Sequence, residues 1–152
     1  MASPRRAGTG PAVVSGLDRA RAAWNAGEYE QVLAAAGGLR SERREDRVAA
    51  AILRSRALLA LDRPGEVAAV LERVRNDAKG PEETVLVQML TGAALTRTSA
   101  RERGDSLLDQ TSALAARSAK PLVAEVAYYR ALSRWSSRRL AEAEEDKWIE
   151  AG

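Results

Sequence analysis

The apolar positions of the chain recur at helical rather than strand spacing. Between Arg44 and Leu61, the residues Val48, Ile52, Ser55 and Leu59 return every three or four positions with Ala51 and Leu58 beside them, which predicts a helix with one broad apolar face. Glycine and proline punctuate the remainder, and the pattern predicts helical segments at 13–26, 28–38, 44–61, 65–76, 82–98, 102–118, 121–136 and 138–150. Gly80-Pro81-Glu82-Glu83 sets a helix stop, a first-turn proline and two acids facing a positive helix end in succession. Lys120-Pro121 predicts a second entry of the same kind. Helices joined by short connections predict an all-α fold with sequence neighbours antiparallel.

Composition sharpens this picture. The 152 residues suit one domain of ordinary size, expected over 13–152. Leu, Ile and Val supply about a fifth of the chain, Phe none, and 31 alanines fill the gap. Alanine is the best helix former and lets backbones approach closely, so the composition predicts thin, tightly spaced helix interfaces. With Cys 0 and His 0 the chain offers no thiol nucleophile, imidazole base, disulfide or zinc site of the usual ligands. It also carries no phosphate-binding glycine loop, acidic calcium loop, nucleophile elbow or S-x-x-K run. The expectation is a protein that is not an enzyme and takes no cofactor and no metal.

Charge changes the picture less than the pI of about 9.7 suggests. Lys+Arg 24 against Asp+Glu 21 is a formal +3, and without histidine almost nothing titrates near neutrality, so a small surplus drives the pI upward. Arg5 and Arg6 precede the first acid, Asp18, and the rest of the chain is nearly balanced, which argues against direct nucleic-acid binding. Residues 1–12, MASPRRAGTGPA, read as a flexible N-terminal tail. The twin arginines lack a following hydrophobic stretch, and no run suits a membrane span. The expected location is cytoplasmic, with no membrane partner.

A repeat lies within the helical pattern. The run Ala23-Trp24-Asn25-Ala26-Gly27-Glu28-Tyr29-Glu30-Gln31-Val32-Leu33 resembles the inter-helix turn of the tetratricopeptide repeat family, in which a glycine, one further residue and an aromatic precede the second helix. Aligning Asp62–Val67 with Gly27–Val32 gives a spacing of 35 residues, which sets Ala20 and Ser55 at the same small crossing position. Gly92 fits that position in a third pair, while Arg101-Glu102-Arg103-Gly104-Asp105 breaks the usual turn. Arg130-Ala131-Leu132 lines up with Arg56-Ala57-Leu58 in a fourth. The resemblance covers about 13–150. It implies a right-handed α-solenoid of about four antiparallel helix pairs, with Trp24 and Tyr29 as wedge residues of the first turn.

The same resemblance implies a function. Members of the family hold peptides on a concave surface lined by the first helix of each pair. In that register Arg21, Arg56 and Arg130 occupy one groove position and Asn25, Arg97 and Arg134 a neighbouring one, with Leu17, Ile52, Met89 and Val126 giving apolar contacts. Guanidinium groups so placed take acidic side chains or a terminal carboxylate through charge-assisted bonds. The leading expectation is a non-catalytic module that binds a protein or peptide, with a homodimer as a secondary one. The other is an effector-sensing or regulatory segment of a bacterial transcriptional regulator, whose helical repeats the run Glu125–Leu132 is similar to. The plainer role for each arginine is a stem laid over apolar surface with its head in water.

Overall fold

The computed structural model describes residues 15–151, so the tail expected at 1–12 lies outside the described residues. Among these there are seven α-helices and no strand. The chain divides into two compact units, Met1–Ala78 and Lys79–Gly152.

In the first unit, α1 (Gly16–Asn25) and α2 (Tyr29–Gly37) are followed by α3 (Arg44–Ala60), a short 3-10 turn at Pro64–Glu66 and α4 (Val67–Glu72). Ser15 caps α1 by accepting from the Asp18 N–H at 3.1 Å. Leu17, Ala20 and Ala23 of α1 meet Val32 and Ala36 of α2 and Ala50, Leu53 and Ala57 of α3 in one cluster. Trp24 and Tyr29 pack against it with ring centroids 5.2 Å apart, filling the space that the small side chains leave at the turn. The expected face of α3 is buried throughout, from Val48 to Leu59.

Both long turns of this unit close in the same way. At the end of α1 the N–H groups of Ala26, Gly27 and Glu28 donate to the carbonyls of Ala22, Trp24 and Ala23 at 3.0, 3.0 and 2.9 Å. At the end of α3 those of Leu61, Asp62 and Arg63 donate to Ala57, Leu59 and Leu58 at 2.9, 3.1 and 2.8 Å. Every partner is displaced by 35 positions. Gly27 and Asp62 both sit in the left-handed region, at φ 73° and 55°, which the closing pair of bonds requires. Glycine enters that region freely, and aspartate is among the few other residues that tolerate it.

The second unit holds α5 (Gly80–Leu95), α6 (Arg101–Ser118), a 3-10 turn at Lys120–Leu122 and α7 (Val123–Ala151). Pro81 and the acids Glu82 and Glu83 stand in the first turn of α5 as expected, and a Glu83 carboxylate oxygen accepts from the Lys79 N–H at 3.0 Å. The run Arg101–Asp105 is the start of α6, in keeping with the helix expected at 102–118. Gly104 explains its place: a Cβ there would lie 2.6 Å from the Thr96 nitrogen and 2.8 Å from the Gly92 carbonyl oxygen. A Cβ on Gly92 would lie 3.0 Å from Leu108, so α5 and α6 approach backbone to backbone.

The expected helices at 121–136 and 138–150 are one helix, α7, which continues through Ser136 and Ser137. Neither Gly nor Pro stands at that junction, and serine is only a weak helix breaker. Arg101 also ties the region down from α6 by donating to the Ser137 hydroxyl and, at 3.3 Å, to the Ser133 carbonyl.

Candidate functional site

The six residues expected to bind a partner fall into two groups. Arg21, Asn25 and Arg56 belong to the first unit, and Arg97, Arg130 and Arg134 to the second. Arg21 and Asn25, four residues apart on α1, share one exposed face of that helix. The Arg21 guanidinium lies 3.8 Å from the Asp18 carboxylate, with both side chains more than half exposed. Arg56 on α3 is half-buried, and its distance of 35 residues from Arg21 equals that between the two left-handed turn residues. Arg21 and Arg56 thus each stand six residues before the left-handed residue of the turn that ends their helix.

In the second unit, Arg130 is engaged within the fold. Its guanidinium pairs with Asp109 of α6 at 2.9 Å and donates to the Ser112 hydroxyl at 3.1 Å. Asp105 accepts from the Ser133 hydroxyl at 2.6 Å, and Arg101 reaches Ser137. Residues 101, 105, 109 and 112 form one stripe of α6, and their partners 137, 133 and 130 descend along α7 as the α6 numbers rise. This is a hydrogen-bonded seam, in which Arg130 joins two helices. Arg97 follows the end of α5 and is exposed, and Arg134 is exposed on α7.

The apolar residues expected on the floor of a groove are in the interior instead. Leu17 and Ile52 are 6% and 7% exposed, and Met89 and Val126 are fully buried. Such side chains are the largest apolar groups on alanine-rich helices, so the core claims them first. They offer no contact surface.

One open cleft of about 930 Å³ lies on the first hairpin. Ala22 of α1, Ala26 just after it, and Ala34 and Ala35 of α2 line it, with Arg19 and Arg40 as its cations. Its residues 16, 19, 23 and 26 follow one helical face, and Arg21 and Asn25 another. Sequence reasoning passed over the cleft, although the density of small residues at 22, 26, 34, 35 and 38 was a usable signal.

The mixed run Arg40–Arg47 is tied into the first unit partly through Asp77, thirty residues beyond it. Arg47 donates to the carbonyls of Glu42 and Ser41 at 2.7 and 3.3 Å and pairs with Asp77 at 3.3 Å, while Arg44 donates to the Asp77 carbonyl at 2.7 Å. Arg63 makes a two-pronged contact with Glu66, at 2.6 and 2.9 Å. That hydrogen bond raises the Arg63 pKa and holds the Glu66 carboxyl below its ordinary range.

Among the described residues, no group of three or more His, Cys, Asp or Glu side chains is placed to hold a metal ion, and no helix is long and apolar enough to cross a membrane. Compared with protein-family models, curated proteins and solved structures, the chain matches none.

Proposed function

We propose that this chain is a tetratricopeptide-like helical-repeat module, a right-handed solenoid of antiparallel helix pairs, which binds an acidic segment of another protein and catalyses nothing. The observation that carries this reading is the recurrence, after 35 residues, of the same three backbone hydrogen bonds and the same left-handed residue at the ends of α1 and α3. Recurrent turns make the helices they end equivalent, and equivalent helices present equivalent side chains. Arg21 and Arg56 are such a pair. In this reading they orient the carboxylates of the partner, with Asn25 as a neutral hydrogen-bonding neighbour. Arg130 contributes to the rigidity of the second unit.

Exposed guanidinium–carboxylate contacts give orientation and encounter rate more than affinity, so binding is expected to weaken steeply with salt. The test is affinity capture from the source cells at low and high salt, read by mass spectrometry. It is repeated with Arg21→Ala/Arg56→Ala and, separately, with Arg19→Ala/Arg40→Ala in the cleft. A partner held at low salt, released at high salt and lost from the first variant is the expected result. Unchanged recovery with that variant overturns the assignment of Arg21 and Arg56, and loss confined to the second variant moves the site to the cleft.

A further inference from the structure

The solvent side of α7 carries an order of charge that the helix itself does not use well. Ala131, Arg134, Arg138, Glu142, Glu145 and Ile149 are exposed and step by three or four along one stripe, with Trp135 and Asp146 together on one edge of it. Tyr128, Trp135 and Ile149 are 60%, 60% and 71% exposed and lie seven and fourteen residues apart, the spacing of a helix-pairing seam. The bases stand first and the acids after them. Within one helix, the Arg138–Glu142 pair has its base N-terminal to the acid, the weaker of the two orders.

We propose that this stripe is a self-association surface, on which a second copy of the same chain lies antiparallel with the two-fold axis level with residue 140. Around that axis each position lies level with the one whose number sums with it to 280. Arg138 then faces the partner's Glu142 and Ala131 the partner's Ile149 near the midline, while Arg134 meets the partner's Glu145, because an antiparallel pair keeps each edge of the stripe on its own side. Symmetry repeats each contact, which gives four charge pairs. Trp135 lies on the other edge, between the partner's Glu142 and the partner's Asp146. Arg139, 5.7 Å from the centre of the Trp135 ring, covers part of that ring.

The overlap from 131 to 149 spans about 28 Å of helix. A parallel pair is excluded by the same charges, because it sets Arg134 and Arg138 against their own copies and the acids against theirs. The arrangement is isologous and closes at two copies. It uses α7 alone and is independent of the peptide-binding reading of the first unit.

The test is the mass of the full chain in solution, by sedimentation or light scattering, at low and high salt. The wild type is expected at twice 16.3 kDa, with association weakened by salt. Arg134→Glu/Arg138→Glu and, separately, Glu142→Arg/Glu145→Arg are each expected to weaken self-association by at least about tenfold, since all four positions are exposed and each reversal sets like charges together. Mixing the two variants is expected to restore a dimer of one copy of each, because every reversed residue then meets its complement. A monomeric wild type overturns the proposal. So does a dimer that survives both reversals, or a mixture that remains monomeric; far-ultraviolet circular dichroism of each variant checks that α7 is still helical.

Discussion

The two units solve the same problem, holding alanine-rich helices together, by different means. In the first unit, small apolar side chains around Ala20, Ala23, Ala36 and Ala57 pack under a Trp24–Tyr29 pair, and two turns of identical hydrogen bonding end α1 and α3. In the second, α5 and α6 meet backbone to backbone at Gly92 and Gly104, and α6 is tied to α7 by a seam of Arg101, Asp105 and Asp109 against Ser137, Ser133 and Arg130. Thin helix interfaces bury little area per side chain, so each must be completed by something else. The first unit uses aromatic wedges, and the second uses glycine contact and charge-assisted hydrogen bonds. The first solution leaves a repeat in the sequence because its turns demand particular backbone conformations.

The contrast is broken most sharply at Gly104. Gly104→Ala sets a methyl within 3 Å of backbone atoms that cannot yield, and the expected loss is about 3 kcal/mol, confined to the second unit. Gly65→Ala, where a Cβ meets nothing within 4 Å, is the control in the first unit. Chemical denaturation followed by hydrogen exchange checks both. Loss of protection in α1–α3 of the Gly104 variant counts against separate cores.

A smaller effect of opposite sign is expected at Ser55. Its hydroxyl is fully buried and has no hydrogen-bond partner, whereas the buried Thr111 hydroxyl of the second unit donates to the Leu107 carbonyl at 2.6 Å. Ser55→Ala removes the unpaired group at the position equivalent to Ala20 and is expected to stabilise the chain by about 1 kcal/mol. Thr111→Val is expected to give no such gain. A rise in the urea midpoint without change of slope is the readout.

The smallest effect sharpens the comparison through pH. The folded-state pKa of Glu66 is lowered, first by its hydrogen bond from Arg63, so its contribution is present above the unfolded carboxylate pKa and is lost as pH falls through the folded one. The pair is exposed, and its contribution is small. The difference in unfolding midpoint between wild type and Glu66→Gln is expected at neutral pH and to vanish in acid. A difference that persists in acid assigns the effect to packing instead.

Local rules made much of this molecule legible from its residues. The boundaries of α3, the proline entry of α5 and the shared turn at Gly27 and Asp62 follow from spacing, punctuation and backbone preference, all of which act over a few residues. Ser55 was legible as a small crossing residue for the same reason. The part played by Gly104 was not, because whether a glycine bends a chain or admits a neighbouring backbone depends on which helix lies beside it.

The candidate site divides along the same line. The equivalence of Arg21 and Arg56 was written in the repeat, since a spacing of 35 residues is a property of the chain. The engagement of Arg130 by Asp109, the burial of Leu17, Ile52, Met89 and Val126, and the continuity of α7 through Ser137 were decided by tertiary structure. Helix periodicity assigns a residue to a face, but the crossing of helices determines what that face meets. The core takes Leu17, Ile52, Met89 and Val126 but leaves Trp135, Trp148 and Ile149 of α7 exposed, and an arginine within reach of a carboxylate on the next helix is drawn into the scaffold.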